Sequence, residues 1–322
     1  MRRIVDWWDT HQVALYIAAI LAGGVFGVLA PAAAPVLSAA TNPVLAVLLF
    51  ATFLGVPLIE VGRSFKHVRF LGAVLVVNFV VVPLIVFGLS RFVADDQGLL
   101  VGVLLVLLTP CVDYVIVFTG LAGGAKARLL AATPLLMLLQ IVLLPGYLWL
   151  FAGSDAVQHI ELAPFVEAFL IIIVIPLIAA AIVQAIARGH RAARAIEHFM
   201  AGAMVPLMML TLAVVIGSQI AAVGGQALTL LRVVPLYAAF LIIMPIIGLA
   251  AGRLTRLDVP ETRALIFSGS TRNSLVVLPL ALALPAQLAI APLAVVTQTL
   301  VELVGMVVFV QLIPRIVRSR QQ

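Results

Sequence analysis

The sequence predicts an all-α integral membrane protein with about ten transmembrane helices, arranged as an inverted repeat of five plus five. Two observations support this prediction: the chain is apolar along nearly its whole length, and its basic residues recur in the short segments between apolar runs. Of its 322 residues, 64% are hydrophobic and 10% are charged, and the mean hydropathy is +1.27. A water-soluble domain of this length needs more polar surface, whereas about 20 apolar residues let a helix cross a bilayer.

Ten apolar runs lie between charged or Gly/Pro-containing breaks. They fall near residues 13–31, 36–59, 70–92, 98–122, 128–151, 164–187, 199–221, 233–252, 262–284 and 289–313. Residues 153–163 form an external joint between a first half, 1–152, and a second half, 164–322.

The distribution of basic residues tests this map. If the N-terminus lies inside, nearly every loop arginine and lysine also falls inside, and only Arg91 and Arg232 fall outside. Positive residues favour the cytoplasmic side of a membrane protein. The sequence therefore predicts a multi-pass protein of a bacterial inner (plasma) membrane, with both termini in the cytoplasm.

Several other classes of function find no support in the sequence. Residues 1–9 show no removable signal peptide, and a single cysteine, Cys111, excludes an internal disulfide. All histidines fall at or outside the span ends, and there is no phosphate-binding loop. We therefore expect no enzyme activity, no cofactor, no resident metal and no nucleic-acid partner.

An odd number of spans in each half makes the second half enter the membrane from the opposite side, so a structural repeat must be inverted. The third span of each half carries a proline, Pro83 in the first half and Pro245 in the second. The fourth span of each half, which is the fourth and the ninth of the chain, is interrupted by polar or helix-breaking residues, 109–113 and 268–274. Interrupted helices at matching places in inverted halves indicate a transporter's substrate site. We therefore expect the fourth and ninth helices to be broken.

Three ionisable residues remain at membrane depth: Asp113, Arg272 and Glu302. Each would cost roughly 2.5–3.5 kcal/mol at the centre of a lipid-facing helix, so each needs a partner or a watery cavity. An Asp113–Arg272 ion pair would reduce the cost of both, either as a structural bridge or as a pair that opens with substrate or proton binding. Because arginine stays protonated, proton coupling would use Asp113 or Glu302.

Uncharged polar residues at depth have a simpler interpretation, as interhelical hydrogen bonds. This group contains Asn78, Thr133, Gln140, Gln298 and Thr299. Cys111 could be a small apolar filler, or it could line a cavity, since it follows Pro110 in an interrupted helix.

Several motifs have counterparts in a known family. They are residues 78–83 (NFVVVP), Pro110-Cys111, residues 121–124 (LAGG), Gln140 and residues 300–302 (LVE). Together they resemble the bile acid/sodium symporter superfamily, most of all its arsenical-resistance branch, the arsenite efflux permeases. The resemblance covers nearly the whole chain.

The resemblance implies ten helices in a panel and a core domain, with the broken fourth and ninth helices crossing beside a substrate cavity. It also implies that Cys111 occupies the position of a substrate-linked cysteine and Glu302 that of a functional acid. Arsenite is an uncharged hydroxide with high affinity for thiols, and a single thiol could hold it loosely enough for release.

The chain departs from the family at its sodium ligands. Ser268 stands where sodium-coupled members have an acid, Arg272 where they have a glutamine, and Val115 and Ile116 where they have a Ser–Asn pair. The arsenite permeases, in turn, carry an Asn-Asn-Phe-Glu run where residues 272–275 stand here. The sodium site therefore looks degenerate, with the charge of Arg272 in place of the ion, and we expect transport without sodium.

Two transport hypotheses follow, besides a non-transport role such as a receptor, a membrane-embedded enzyme or a structural subunit. The first is proton-coupled efflux of arsenite or antimonite; the second is a carrier of small organic anions that uses Arg272 in place of a sodium site. Expected substrate-binding residues are Cys111, Asp113, Arg272, Asn273 and Asn78. Expected supporting polar residues are Thr133, Gln140, Ser268, Ser270 and Ser274.

Overall fold

The computed structural model describes residues 2–55, 67–112, 114–158 and 170–318. Within these ranges the chain is helical and contains one isolated β-bridge but no strand. The α-helices are, in chain order, α1 (Arg2–Leu29), α2 (Ala34–Gly55), α3 (Val68–Val76), α4 (Val82–Ser90), α5 (Gln97–Leu107), α6 (Tyr114–Leu121), α7 (Lys126–Gln158), α8 (Ile175–Ala187), α9 (Arg191–Leu230), α10 (Val233–Leu254), α11 (Val259–Ser270), α12 (Ser274–Leu282) and α13 (Ala291–Ile316). The all-α class predicted from the sequence is confirmed.

Six helical stretches of the described chain are long and apolar enough to cross a membrane. They are Pro31–Gly55, Val68–Val93, Lys126–Gly153, Arg191–Ser218, Leu228–Leu254 and Ala291–Ile316. They coincide with the second, third, fifth, seventh, eighth and tenth predicted spans, so the protein is a multi-pass membrane protein. The count of ten and the inverted repeat stay predictions.

The chain divides into two compact units, each made of two separate segments. The first unit contains Met1–Ile59 and Ala163–Leu228, and the second contains Glu60–Leu162 and Thr229–Gln322. Each unit therefore takes one segment from each predicted half of the sequence. The halves themselves, 1–152 and 164–322, stay a prediction about repetition along the chain.

In the first unit, helices α1, α2, α8 and α9 pack closely. A Cβ atom on Gly23 of α1 would overlap the carbonyl of Ala213 in α9, so only glycine permits this approach. Gln184 of α8 donates hydrogen bonds to the carbonyls of Phe53 and Leu54 at 3.1 Å each. The Gln184 side chain therefore joins α8 to α2.

In the second unit, a π-helical segment, Val77–Val81, joins α3 to α4. Pro83 has no N–H to offer the carbonyl of Phe79, and the hydroxyl of Tyr147 in α7 donates to that carbonyl instead, at 2.6 Å. The segment carries Asn78, which is fully buried. π-helical turns occur often at functional sites because they reorient single side chains.

The ends of the interrupted helices are fixed by polar contacts. Asp96 caps α5 by accepting from the N–H of Leu99 at 3.0 Å. Asp258 caps α11 in a reciprocal pair with Glu261, whose N–H donates to Asp258 at 2.7 Å. An N-terminal cap of this kind stabilises a helix by about 1 kcal/mol. The caps therefore set where α5 and α11 begin.

Candidate functional site at the helix crossing

The predicted breaks in the fourth and ninth spans are present, and the two broken segments meet. The chain leaves α5 at Leu107 and α11 at Ser270. The N–H of Cys111 donates to the carbonyl of Thr271 at 3.2 Å, and the N–H of Asn273 donates to the carbonyl of Thr109 at 2.9 Å. These two bonds form an antiparallel bridge. Each break therefore satisfies backbone groups that the other leaves without a helical partner.

Arg272 lies in this crossing and is fully buried. Its guanidinium carbon is 5.5 Å from the centroid of the Phe240 ring, within range of a cation–π interaction. Because a buried charge without compensation costs several kcal/mol, the surroundings of this side chain must supply acceptors.

Among the described residues, four oxygen atoms accept hydrogen bonds from the guanidinium. Nη2 donates to Oδ1 of Asn78 at 2.8 Å and to the carbonyls of Ser268 and Gly269 at 2.7 Å each. Nη1 donates to the carbonyl of Leu107 at 3.4 Å. We call these four acceptors the oxygen cage. Its three carbonyls belong to the C-terminal ends of α5 and α11, which carry partial negative charge.

Asn78 orients the cage from the π-helical segment. Its Nδ2 donates to the carbonyl of Val74 and to Oγ of Ser268, both at 3.0 Å. The amide therefore has one chemically consistent orientation, with its oxygen toward the arginine, a pure donor, and its nitrogen toward two acceptors. The predicted residues Asn78, Ser268 and Arg272 thus form one network.

Glu302, in α13, contacts the break that follows α11. It is 1% exposed, and its Oε2 accepts from the main-chain N–H of Arg272 at 2.8 Å and from Nε2 of Gln298. Arg272 therefore contacts the carboxylate through its backbone and the oxygen cage through its side chain. Asp113, the other predicted acid, lies outside the described residues, so the Asp113–Arg272 pair stays a prediction.

Gln298 has a different role from the one its sequence context suggests. An interhelical hydrogen bond is expected, but Gln298 donates to Glu302 one turn along the same helix. Its spacing of four residues from the acid is the signal that could have identified this contact. Thr299 does form the expected interhelical bond, donating to Oγ of Ser274 at 2.7 Å.

Three buried polar atoms around the break find no hydrogen-bond partner among the described residues. They are Oγ of Ser270, Nδ2 of Asn273 and Oε1 of Gln298. Oδ1 of Asn273 accepts from the N–H of Val276 and so caps α12. The amide nitrogen, Nδ2, is therefore the atom of this side chain that is left without a described partner. A buried polar group normally has a partner, so these atoms mark the polar face of the site.

Four further predicted positions are described next: Cys111, Thr133, Gln140 and Val115. Cys111 is fully buried in the crossing itself. Thr133 is buried and donates to the carbonyl of Leu130 in its own helix, at 2.7 Å. Gln140 is buried in the same helix, and its Oε1 finds no partner in the described chain. Val115 is fully buried and apolar, so it offers no side-chain ligand to a cation.

The described residues contain no group of three or more His, Cys, Asp or Glu side chains placed to hold a metal ion. The oxygens best arranged around a positive charge are those of the oxygen cage, and they surround the guanidinium of Arg272.

A family model matches more than half of the chain. The family model described as "Sodium Bile acid symporter family" matches residues 42–226, more than half of the chain. The matched stretch contains Asn78 and Cys111 and ends before Arg272 and Glu302. No curated protein matches the sequence.

Proposed function

Because the chain belongs to the sodium bile acid symporter family, a family of membrane transporters, we propose that it is a sodium-independent secondary transporter that exports arsenite or antimonite in exchange for protons. The proposal has three parts: the absence of sodium coupling, the group that carries the proton, and the group that binds the substrate.

The oxygen cage supports the first part. Carbonyl oxygens at the ends of broken helices are the groups with which membrane transporters hold coupling ions. Here three such carbonyls and Oδ1 of Asn78 accept from Arg272. A sodium ion at the same oxygens would have to displace the guanidinium or sit beside a like charge. This single observation carries the proposal of sodium-independent transport.

The position of Glu302 supports proton coupling. Its carboxylate accepts from the N–H of Arg272, so gain of a proton would weaken a hydrogen bond at the crossing itself. Arg272 cannot take this role, because a guanidinium does not release its proton in a protein. Asp113 is the alternative proton carrier.

Cys111 is the proposed substrate contact. The resemblance to arsenite permeases assigns this position to a substrate-linked cysteine, and the residue lies where the two broken helices pair. A thiol binds trivalent arsenic and antimony, and one thiol permits release.

The test is arsenite resistance in a sensitive bacterial host. We expect the wild-type chain to confer resistance, Cys111→Ala to abolish it, and Thr211→Ala, a matched change of a buried polar residue in the first unit, to leave most of it. If the wild type gives no resistance, or Cys111→Ala protects equally well, the thiol mechanism is wrong.

One observation favours the second candidate, a carrier of small organic anions. Nδ2 of Asn273 is a buried donor with no partner in the described chain, and it lies at the start of α12, where main-chain N–H groups also favour negative charge. The charge of Arg272 would add to this field. Uptake of radiolabelled small carboxylates that survives Cys111→Ala but is lost in Asn273→Ala would favour the anion carrier over the arsenite exporter.

A further inference from the structure

The turn between α8 and α9, in the first unit, carries a cluster of arginines that the transport site does not use. Arg188 follows α8 directly, Arg191 begins α9, and Arg194 lies one turn further. All three side chains are exposed, as are those of His190 and His198. We call Arg188, Arg191 and Arg194 the basic turn.

The basic turn has no ion-pair partner among the residues that the structure describes. No ion pair joins any of its three arginines to a carboxylate of the described chain. From 187 to 199 the only acid is Glu197, and the first turn of α9 contains none. Arg191 and Arg194, three residues apart, lie on one face of the helix, where like charges repel.

Two other arginines of the described chain, Arg128 and Arg263, have partners. Arg128 pairs with Asp258 at 3.1 Å and with Glu261 at 2.5 Å. Arg263 donates to the carbonyls of Ala122 and Val317 at the ends of α6 and α13. These arginines serve internal packing, whereas the basic turn presents three adjacent cations with no partner in the described chain.

The surroundings of the basic turn are apolar. Ile186, Ile196 and Phe199 flank it with 45%, 42% and 69% of their surface exposed. The turn connects an apolar helix, Ile175–Ala187, to a stretch long enough to cross a membrane, Arg191–Ser218. With both helices in a membrane, the turn between them would lie at the level where phosphate headgroups meet acyl chains.

We propose that the basic turn binds the headgroup of an anionic phospholipid, with Arg188, Arg191 and Arg194 contacting the phosphate and Ile196 and Phe199 contacting the acyl chains. Arginine suits this ligand because its planar donors pair with phosphate oxygens in a bidentate manner. Clusters of basic residues next to a membrane helix attract anionic lipids. The inference does not depend on which substrate is transported.

The test compares phosphatidylglycerol with phosphatidylcholine of the same acyl chains, binding to the purified full-length protein in uncharged detergent. Native mass spectrometry gives the apparent Kd for each lipid. We expect a lower Kd for phosphatidylglycerol, and a loss of at least about tenfold when Arg188→Gln, Arg191→Gln and Arg194→Gln are combined, since each arginine near an anionic surface contributes on the order of fivefold.

The matched control combines Arg253→Gln, Arg256→Gln and Arg318→Gln, three exposed arginines of the second unit. It removes the same charge and should leave phosphatidylglycerol binding within about twofold. Equal losses in both triple variants, or equal Kd values for the two lipids, would overturn the proposal. So would full competition by millimolar inorganic phosphate, which would indicate a site for free anions.

A measurement on the wild type keeps the proposal testable if the triple variant does not fold. Raising the salt concentration from about 0.05 to 0.5 M screens charges at the protein surface. We expect it to weaken phosphatidylglycerol binding several-fold and to leave phosphatidylcholine binding unchanged. Insensitivity of phosphatidylglycerol binding to salt would contradict an arginine–phosphate contact.

Discussion

Arg272 connects the features of the site at the scale of single residues. Its side chain satisfies carbonyls at the ends of α5 and α11, and its backbone N–H satisfies Glu302. The residue is thus buried because both helix ends leave acceptors that need a donor, and a permanent cation is the donor that remains charged under all conditions. The surrounding protein stabilises Arg272, and Arg272 stabilises the crossing.

Replacing Arg272 should destabilise the protein strongly. In Arg272→Gln the oxygen cage loses most of its donors, and buried acceptors left without partners cost about 1–3 kcal/mol each, so we expect a loss of at least about 3 kcal/mol. Arg272→Lys keeps the charge but offers fewer donors in a different geometry, so its loss should be intermediate. The free energy of unfolding in mixed micelles measures both.

Arg253→Gln serves as the control, because Arg253 is exposed and its replacement should change stability by no more than about 0.5 kcal/mol. A loss at Arg272→Gln as small as that of the control would mean that the oxygen cage does not depend on the guanidinium.

Glu302→Gln tests the proton carrier. Glutamine keeps the size of the side chain and an oxygen that accepts from the N–H of Arg272, but it cannot exchange a proton near neutral pH. We expect arsenite efflux from proteoliposomes to lose its dependence on a pH gradient, with binding of arsenite retained. Glu197→Gln, in the first unit, should keep the wild-type pH dependence. If Glu302→Gln still responds to the pH gradient, Glu302 is not the proton carrier, and Asp113 becomes the candidate.

At the scale of elements, a polar contact ties the turn before α5 to the start of α10. Arg232 donates to Asp95 at 2.6 Å and to the carbonyl of Phe92. The hydrogen bond from Arg232 lowers the pKa of Asp95 below its ordinary value. Both side chains are largely exposed, so solvent screens the contact and its contribution to stability is small.

The lowered pKa sets the sign of a pH dependence. A carboxyl group whose pKa falls on folding contributes stability above its unfolded pKa, about 3.9 for aspartate, and that stability is lost as the pH falls through the folded pKa. We therefore expect wild type to exceed Asp95→Asn slightly in thermal stability at pH 6, and the difference to shrink as the pH falls below the unfolded pKa of about 3.9. A difference that grows on acidification would contradict the Arg232–Asp95 contact.

At the scale of the whole molecule, hydropathy and the basic loops predicted an all-α, multi-pass protein, because burial in lipid constrains composition directly. The two breaks were predictable too, because Pro110 has no N–H for a helical hydrogen bond and the polar run 268–274 interrupts an apolar span. Within that run the helix is interrupted at residues 271–273. Asn78, Ser268, Arg272 and Glu302 could be picked out as polar residues at depth.

The contacts among these residues were not predictable. The predicted Asp113–Arg272 pair involves a residue outside the described ranges and stays a prediction. The described contacts join Arg272 to Asn78 and to main-chain carbonyls, and the carbonyls carry no signature in the sequence. The role of Gln298 was missed for a similar reason, since polar side chains in membrane helices usually bond across helices.

The central claim is that the guanidinium of Arg272 takes the place of a coupling sodium ion. Its most direct test is arsenite transport in proteoliposomes at fixed pH, with sodium completely replaced by choline. We expect unchanged initial rates, and no response to an imposed sodium gradient, because the oxygens that would hold the ion already accept from Arg272. A clear requirement for sodium, with rates that saturate as sodium is added, would contradict this account.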